Sequence, residues 1–128
     1  MNKTILATGA VFGVLAVILG ALGAHALKTQ LPESSLESFK TGVAYQMYHA
    51  LFLLILGSVN TIDEKGRRIV FFLIAAGIFC FSFSIYALTT GPVVGLDFSA
   101  IGWITPVGGL LFIGGWVMFI YRVFRGFD

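Results

Sequence analysis

The sequence predicts an all-α fold, an integral membrane bundle of four transmembrane helices with both termini cytoplasmic, forming a single domain over residues 1–128. Of the residues, 58% are hydrophobic and only 11% charged. A water-soluble domain carries roughly a quarter of its residues as charged groups. The charges are gathered into short stretches, and the apolar runs between them approach or exceed the about 20 residues that a helix needs to cross a hydrocarbon core of about 30 Å.

The first span is expected over about residues 5–27, since no charge interrupts the run between Lys3 and Lys28. With Lys3 ahead of it and Ala24-His25-Ala26 near its end, the run also resembles a secretory signal. It exceeds the roughly 7 to 15 apolar residues of such a signal, however, and is read as a retained span. The second span is expected over about 43–59, between Lys40 and Asp63, in a helix that starts outside the membrane near Ser35. There Ser34, Ser35, Leu36 and Glu37 fit a capping box, in which the Ser and Glu side chains bond free N–H groups of the first turn. Glu37, Lys40 and Thr41 would then face water, with Leu36 and Phe39 facing the bilayer or a neighbouring helix.

The stretch 61–68, with Asp63, Glu64 and Gly66, reads as a polar turn. The third span follows over about 69–88. For the fourth, two placements stay open. Either it runs over 106–125 with Thr105 as cap and Pro106 in the first turn, or it is a kinked helix from about Ser99 that is apolar over 101–121. The first is favoured because about 20 residues at 1.5 Å each already span the core, and proline is tolerated in a first turn but not in a helix interior.

Direction follows from the basic residues, which are retained on the cytoplasmic side. Lys3, Lys65, Arg67, Arg68, Arg122 and Arg125 share one face, against Lys28 and Lys40 on the other. Helix association in lipid depends on close approach, which small residues permit. Gly9, Gly13, Ala16, Gly20 and Gly23 recur at steps of four and three along the first span and mark a contact seam. Gly108 and Gly109, with Gly114 and Gly115, suggest the same for the fourth.

Several function classes drop out. A formal net charge of +2 offers nucleic acid no basic patch. Cys80, the single cysteine, reads as an inert buried thiol. No charged residue lies within the apolar runs, so the buried carboxylate of a small proton-coupled antiporter is missing, and no nucleophile motif is present. What remains is a pair of ionisable residues in the spans, His25 and His49, which are hypotheses about function by position alone. Ser38, Thr41, Tyr45 and His49 descend one face of the second helix, with Gln46 and Tyr48 beside them. An antiparallel pairing would bring His25 and His49 to similar depth. Together with Thr105 these residues would either line a site for a polar ligand or lock the helices to one another, and the structural role is the stronger expectation. Two histidines fall short of a zinc site, and a haem between them is weaker still, so no cofactor and no metal are expected.

Three motifs point further. Gly-Ala-Leu-Gly-Ala-His-Ala-Leu-Lys at 20–28, Tyr-Gln-Met-Tyr-His-Ala-Leu at 45–51, and Gly-Trp-Ile-Thr-Pro-Val-Gly-Gly at 102–109, followed by Gly-Gly-Trp at 114–116, stand in this order over nearly the whole chain. The chain resembles the small bacterial membrane family known as domain of unknown function 423, which has a mitochondrial relative named transmembrane protein 256. The resemblance implies a multi-pass protein of the bacterial inner membrane and brings no reaction or ligand with it. It departs at Phe81 to Tyr86, where Phe83 replaces a glycine of the family pattern and puts a tight contact there in doubt. The expected role is therefore non-enzymatic, as a structural, lipid-binding or accessory membrane protein whose partners are membrane lipids or further copies of itself. The alternative is a small oligomeric carrier of an uncharged or hydrophobic solute using the His25/His49 stripe.

Overall fold

The computed structural model describes residues 2–125, and every regular element among them is helical. The helices are α1 (Asn2–His25), α2 (Glu33–Ser58), α3 (Glu64–Ile78), α4 (Ser84–Thr90) and α5 (Ile104–Arg125). A π-helical segment, Phe79–Phe83, joins α3 to α4, and a 3-10 turn, Gly91–Val94, extends them, so that Glu64–Val94 is one continuous rod. Three stretches are long and apolar enough to cross a membrane: Asn2–His25, Glu64–Val94 and Ser99–Arg125. Helix α2 has the length, but Tyr45, Gln46, Tyr48 and His49 about its middle make it less apolar. It compensates by position, since it touches α1, α3, α4 and the π segment, and Gln46, Leu53 and Leu56 along it are fully buried.

Helix α1 lies antiparallel on α2, with Leu6 against Gly57, Gly9 against Ala50 and Leu53, Gly20 against Val43, and Gly23 against Phe39. A methyl group on Gly9 would sit 3.0 Å from the Ala50 carbonyl oxygen, so the two backbones approach as closely as glycine allows. Ala16 is buried in the same line, whereas Gly13 faces open space. Helix α5 runs antiparallel to the rod, and here side chains and backbone fill glycine notches. Phe112 fills the notch at Gly77, the Ile74 side chain that at Gly115, and the backbone of Cys80 and Phe81 that at Gly108. The π segment is the place where α5 comes closest. Phe83 causes no loss of contact, because its ring packs at the edge of the core against Phe79 and Phe12, with centroids 5.0 Å and 6.2 Å away.

The start of α1 at Asn2, the end of α5 at Arg125 and the 59–63 connection share one end of the molecule, here the terminal end; residues 26–32 and 91–103 form the distal end. At the terminal end the stretch expected as a turn is shorter. Glu64, Arg67 and Arg68 are already helical, and Arg67 is buried because its guanidinium donates to the carbonyls of Leu56, at 3.3 Å, and Val59, at 2.7 Å, capping the end of α2. Arg122 is likewise buried and pairs with Asp63 at 3.1 Å across the face of Gly66.

Two expected caps are replaced. Helix α2 starts at Glu33, ahead of Ser35, and the Ser34 and Glu37 capping box does not form. Pro32 supplies the entry geometry instead, at φ −57°, and its carbonyl accepts the Leu36 N–H at 2.9 Å. Helix α5 starts at Ile104, reached from a 3-10 turn at Ser99–Ile101 through Gly102 and Trp103. Thr105 is therefore inside the first turn rather than capping it, and its hydroxyl bonds Ser84; Pro106, next along, still falls where its missing N–H costs nothing. In the distal connection Gly95 takes φ 78°, a left-handed turn that glycine adopts without strain.

Candidate functional site

The polar residues of α2 engage a different neighbour at each step of the helix. Gln46 is fully buried; its amide donates to the Phe12 carbonyl of α1 at 2.8 Å and accepts the Tyr86 hydroxyl of α4 at 2.6 Å. One turn away, Ser82 of the π segment donates to the Gly42 carbonyl at 2.7 Å. Buried polar groups in lipid must be paired within the protein, and both of these are.

His49 faces α5. Its Nδ1 lies 2.7 Å from the Tyr45 carbonyl and its Nε2 3.0 Å from the indole nitrogen of Trp116. A carbonyl only accepts and an indole N–H only donates, so Nδ1 carries the proton and Nε2 receives one bond: the ring is the neutral Nδ1–H tautomer. It stacks on Phe112 at 3.7 Å and 8° and is 4% exposed. Neither nitrogen is left for a ligand while Trp116 stays in place.

A third connection joins Ser84 to Thr105, 2.5 Å apart, at the step from the π segment into α4. Ser84 also lies 2.6 Å from the Cys80 carbonyl. Its single proton goes there, so Thr105 donates to Ser84.

The structure does not bring His25 and His49 together. The α1–α2 register puts His49 level with Gly13, and at 1.5 Å per residue His25 is about 18 Å farther along, too far to share one ligand. His25 is exposed at the last turn of α1. Tyr45 is half-exposed, with its ring 5.0 Å from that of Phe81, and Tyr48 is exposed. Gly109 meets only Phe81, at 4.0 Å, and borders a hollow rather than a helix contact. Sequence reasoning missed Tyr86 and Trp116 as partners. Each has a polar tip on an apolar body that needs a partner when buried, which was the available signal.

Along the α2–α5 side three hollows follow one another. A cleft of about 380 Å³ at the distal end is lined by Ser38, Thr41, Thr89 and Thr105. Below it a groove of about 580 Å³ is lined by Tyr45, His49, Phe81, Gly109 and Trp116. Beyond Trp116 lies a third of about 240 Å³, bordered by Tyr48 and Phe52. A larger hollow, about 670 Å³, is a separate apolar groove between α1 and the α3 stretch of the rod.

Apolar helices tied at mid-height by neutral, internally paired polar groups define a helical membrane protein. A family profile described as "Protein of unknown function (DUF423)" matches residues 19–109, most of the chain, and the protein belongs to that family. The chain is 37% identical over 123 residues to the UPF0382 membrane protein SAB0533 of Staphylococcus aureus (strain bovine RF122 / ET3-1), covering 96% of this chain and 97% of that one. It is 38% identical over 125 residues to the UPF0382 membrane protein YwdK of Bacillus subtilis (strain 168), covering 92% and 94%. To the UPF0382 membrane protein SH2409 of Staphylococcus haemolyticus (strain JCSC1435) it is 35% identical over 123 residues, covering 96% and 97%. No solved structure matches.

Proposed function

We propose that the chain is a non-enzymatic accessory protein of the bacterial inner membrane, a four-helix bundle that crosses the bilayer four times with both termini cytoplasmic and holds lipid against its side. The fourth crossing is supported by register. Helix α1 packs antiparallel on α2 from Leu6 and Gly57 to Gly23 and Phe39, so a bilayer that contains α1 also contains α2. The polar middle of α2 is tolerated because it faces protein. Lys3, Lys65, Arg68 and Arg125 at the terminal end, against Lys28 and Lys40 at the distal end, support the direction.

The observation that carries the non-catalytic reading is the engagement of both His49 nitrogens within the chain. A ring whose tautomer and both bonds are set by Tyr45 and Trp116 acts as a fastener between α2 and α5, and has no free atom for proton transfer. The carrier alternative, an oligomer using the His25/His49 stripe, draws less support, since the register sets the two histidines apart.

The test is one set of variants measured two ways. His49→Ala is expected to lower the melting temperature in detergent, with any cellular phenotype tracking the lost protein. A normal melting curve combined with abolished solute flux in reconstituted vesicles would favour the carrier instead. For the topology, a C-terminal tag is expected to resist protease added to intact cells; cleavage of that tag would reverse the direction.

A further inference from the structure

The seam on the α2–α5 side has a graded chemistry that specifies a ligand class. From the distal cleft to the groove below it, every bordering element advances by one helical turn: Thr41 to Tyr45 on α2, Ile85 to Phe81 on the rod, and Thr105 to Gly109 on α5. The two hollows are consecutive storeys of one seam. The upper storey sets four hydroxyl side chains beside Ile85 and Leu88, the lower is mainly rings and aliphatic side chains, and neither is lined by a charged side chain. From Ser38 to His49 the seam descends about 16 Å at 1.5 Å per residue, half of a core of about 30 Å and so the depth of one leaflet. Trp116, held by His49, stands at its floor.

Three of the four hydroxyls of the upper storey, all but that of Ser38, are polarised in one sense. Thr41 donates to the Glu37 carbonyl at 3.1 Å, Thr89 to the Ile85 carbonyl at 2.8 Å, and Thr105 to Ser84. Each proton is engaged inside the chain, so what the three residues offer the cleft is oxygen lone pairs. Resting on the lipid-holding role proposed above, we infer that this seam binds an amphiphile of the distal leaflet with an uncharged head that donates hydrogen bonds through hydroxyl groups, its chain lying in the groove over Gly109. A head without a donor leaves these acceptors unpaired, and an ionic head finds no counter-charge there.

The experiment uses the full chain, delipidated in detergent and incubated with one lipid at a time, with retained lipid read by native mass spectrometry. The probes are dioleoylglycerol, its O-methyl ether, in which the donor is removed and the chains are unchanged, and dioleoylphosphatidylcholine. Dioleoylglycerol is expected to be retained at least tenfold better than either of the others. Thr41→Val, on an exposed position, is expected to erase most of that preference. Gly109→Leu, whose added side chain enters the groove without meeting a packed neighbour, is expected to expel all three lipids while melting stays near that of the unaltered protein. Equal retention of all three, abolished by Gly109→Leu, would overturn the head-group assignment and leave the lipid-holding role standing. Retention of none, or retention indifferent to Gly109→Leu, would remove both.

Discussion

At mid-height α2 is tied to its neighbours by neutral groups, Gln46 to Phe12 and Tyr86 and His49 to Trp116, whereas the terminal end is tied by full charges, Arg67 on the carbonyls of Leu56 and Val59 and Arg122 on Asp63. Both sets join elements that close apolar packing alone would leave free to slide. In the four-crossing arrangement proposed above, the difference is depth. In mid-membrane a charge costs several kcal/mol and an amide or a neutral imidazole much less, while near the headgroups a guanidinium keeps water within reach and its long stem can lie along apolar surface. Which polar residue fastens a helix pair thus reports how deep the fastening lies.

The strongest way to break the middle is to part the backbones there. Gly108→Leu puts a side chain into the backbone of Cys80 and Phe81, where nothing flexible can give way. Its cost is expected at or above the upper end of the roughly 1–3 kcal/mol typical of overpacking, read as loss of folded protein in a graded sodium dodecyl sulfate titration. Next, Gln46→Leu leaves Tyr86 without its partner and removes two interhelical bonds. With such bonds averaging about 0.6 kcal/mol and reaching about 1.7, a loss of about 1–2 kcal/mol is expected in the same titration. No change would mean that Gln46 is not a fastener.

Trp116→Phe keeps most of the apolar contact but removes the indole N–H, and about 1 kcal/mol is expected from it on the same scale. Nitrogen NMR of His49 should show Nε2 released from its donor while Nδ1 stays protonated. An unaltered Nε2 signal would count against the bond. The smallest effect belongs to the terminal end. A double-mutant cycle of Asp63→Asn and Arg122→Gln should give a coupling of about 1 kcal/mol or less, falling as salt is raised, since the Asp63 carboxylate is partly exposed. A coupling larger than that of Gln46 with Tyr86 would invert the comparison between the two regions.

The positions of the apolar rods could be read from the chain because lipid imposes a length and a composition that leave few choices, and the stripe of Gly9, Ala16, Gly20 and Gly23 could be read because close approach needs small residues at helical spacing. The ends of helices were less legible. At Ser34 and Glu37 a local capping pattern lost to Pro32, whose ring sets the entry by itself, and at Thr105 a hydroxyl suited to capping was taken by Ser84 across the helix interface. The role of the arginines was hidden as well. Arg67 and Arg122 count as basic residues at a membrane face, and nothing local reveals that each turns inward to a carbonyl or a carboxylate.

Within the candidate site, the sequence by itself determined which polar residues α2 carries and that they fall on neighbouring faces at steps of three and four. Their partners were decided only by the tertiary structure. Antiparallel α1 and α2 slide past one another by whole turns without altering either sequence pattern, and a shift of this kind is what separates His25 from His49. Likewise Trp116 reaches His49 because the glycine notches at Gly77, Gly108 and Gly115 set α5 against the rod, and Tyr86 reaches Gln46 beside Gly42, whose notch on α2 is filled by Tyr86 and Ile85. Periodicity states which way a side chain faces, and packing of shapes states what it meets there.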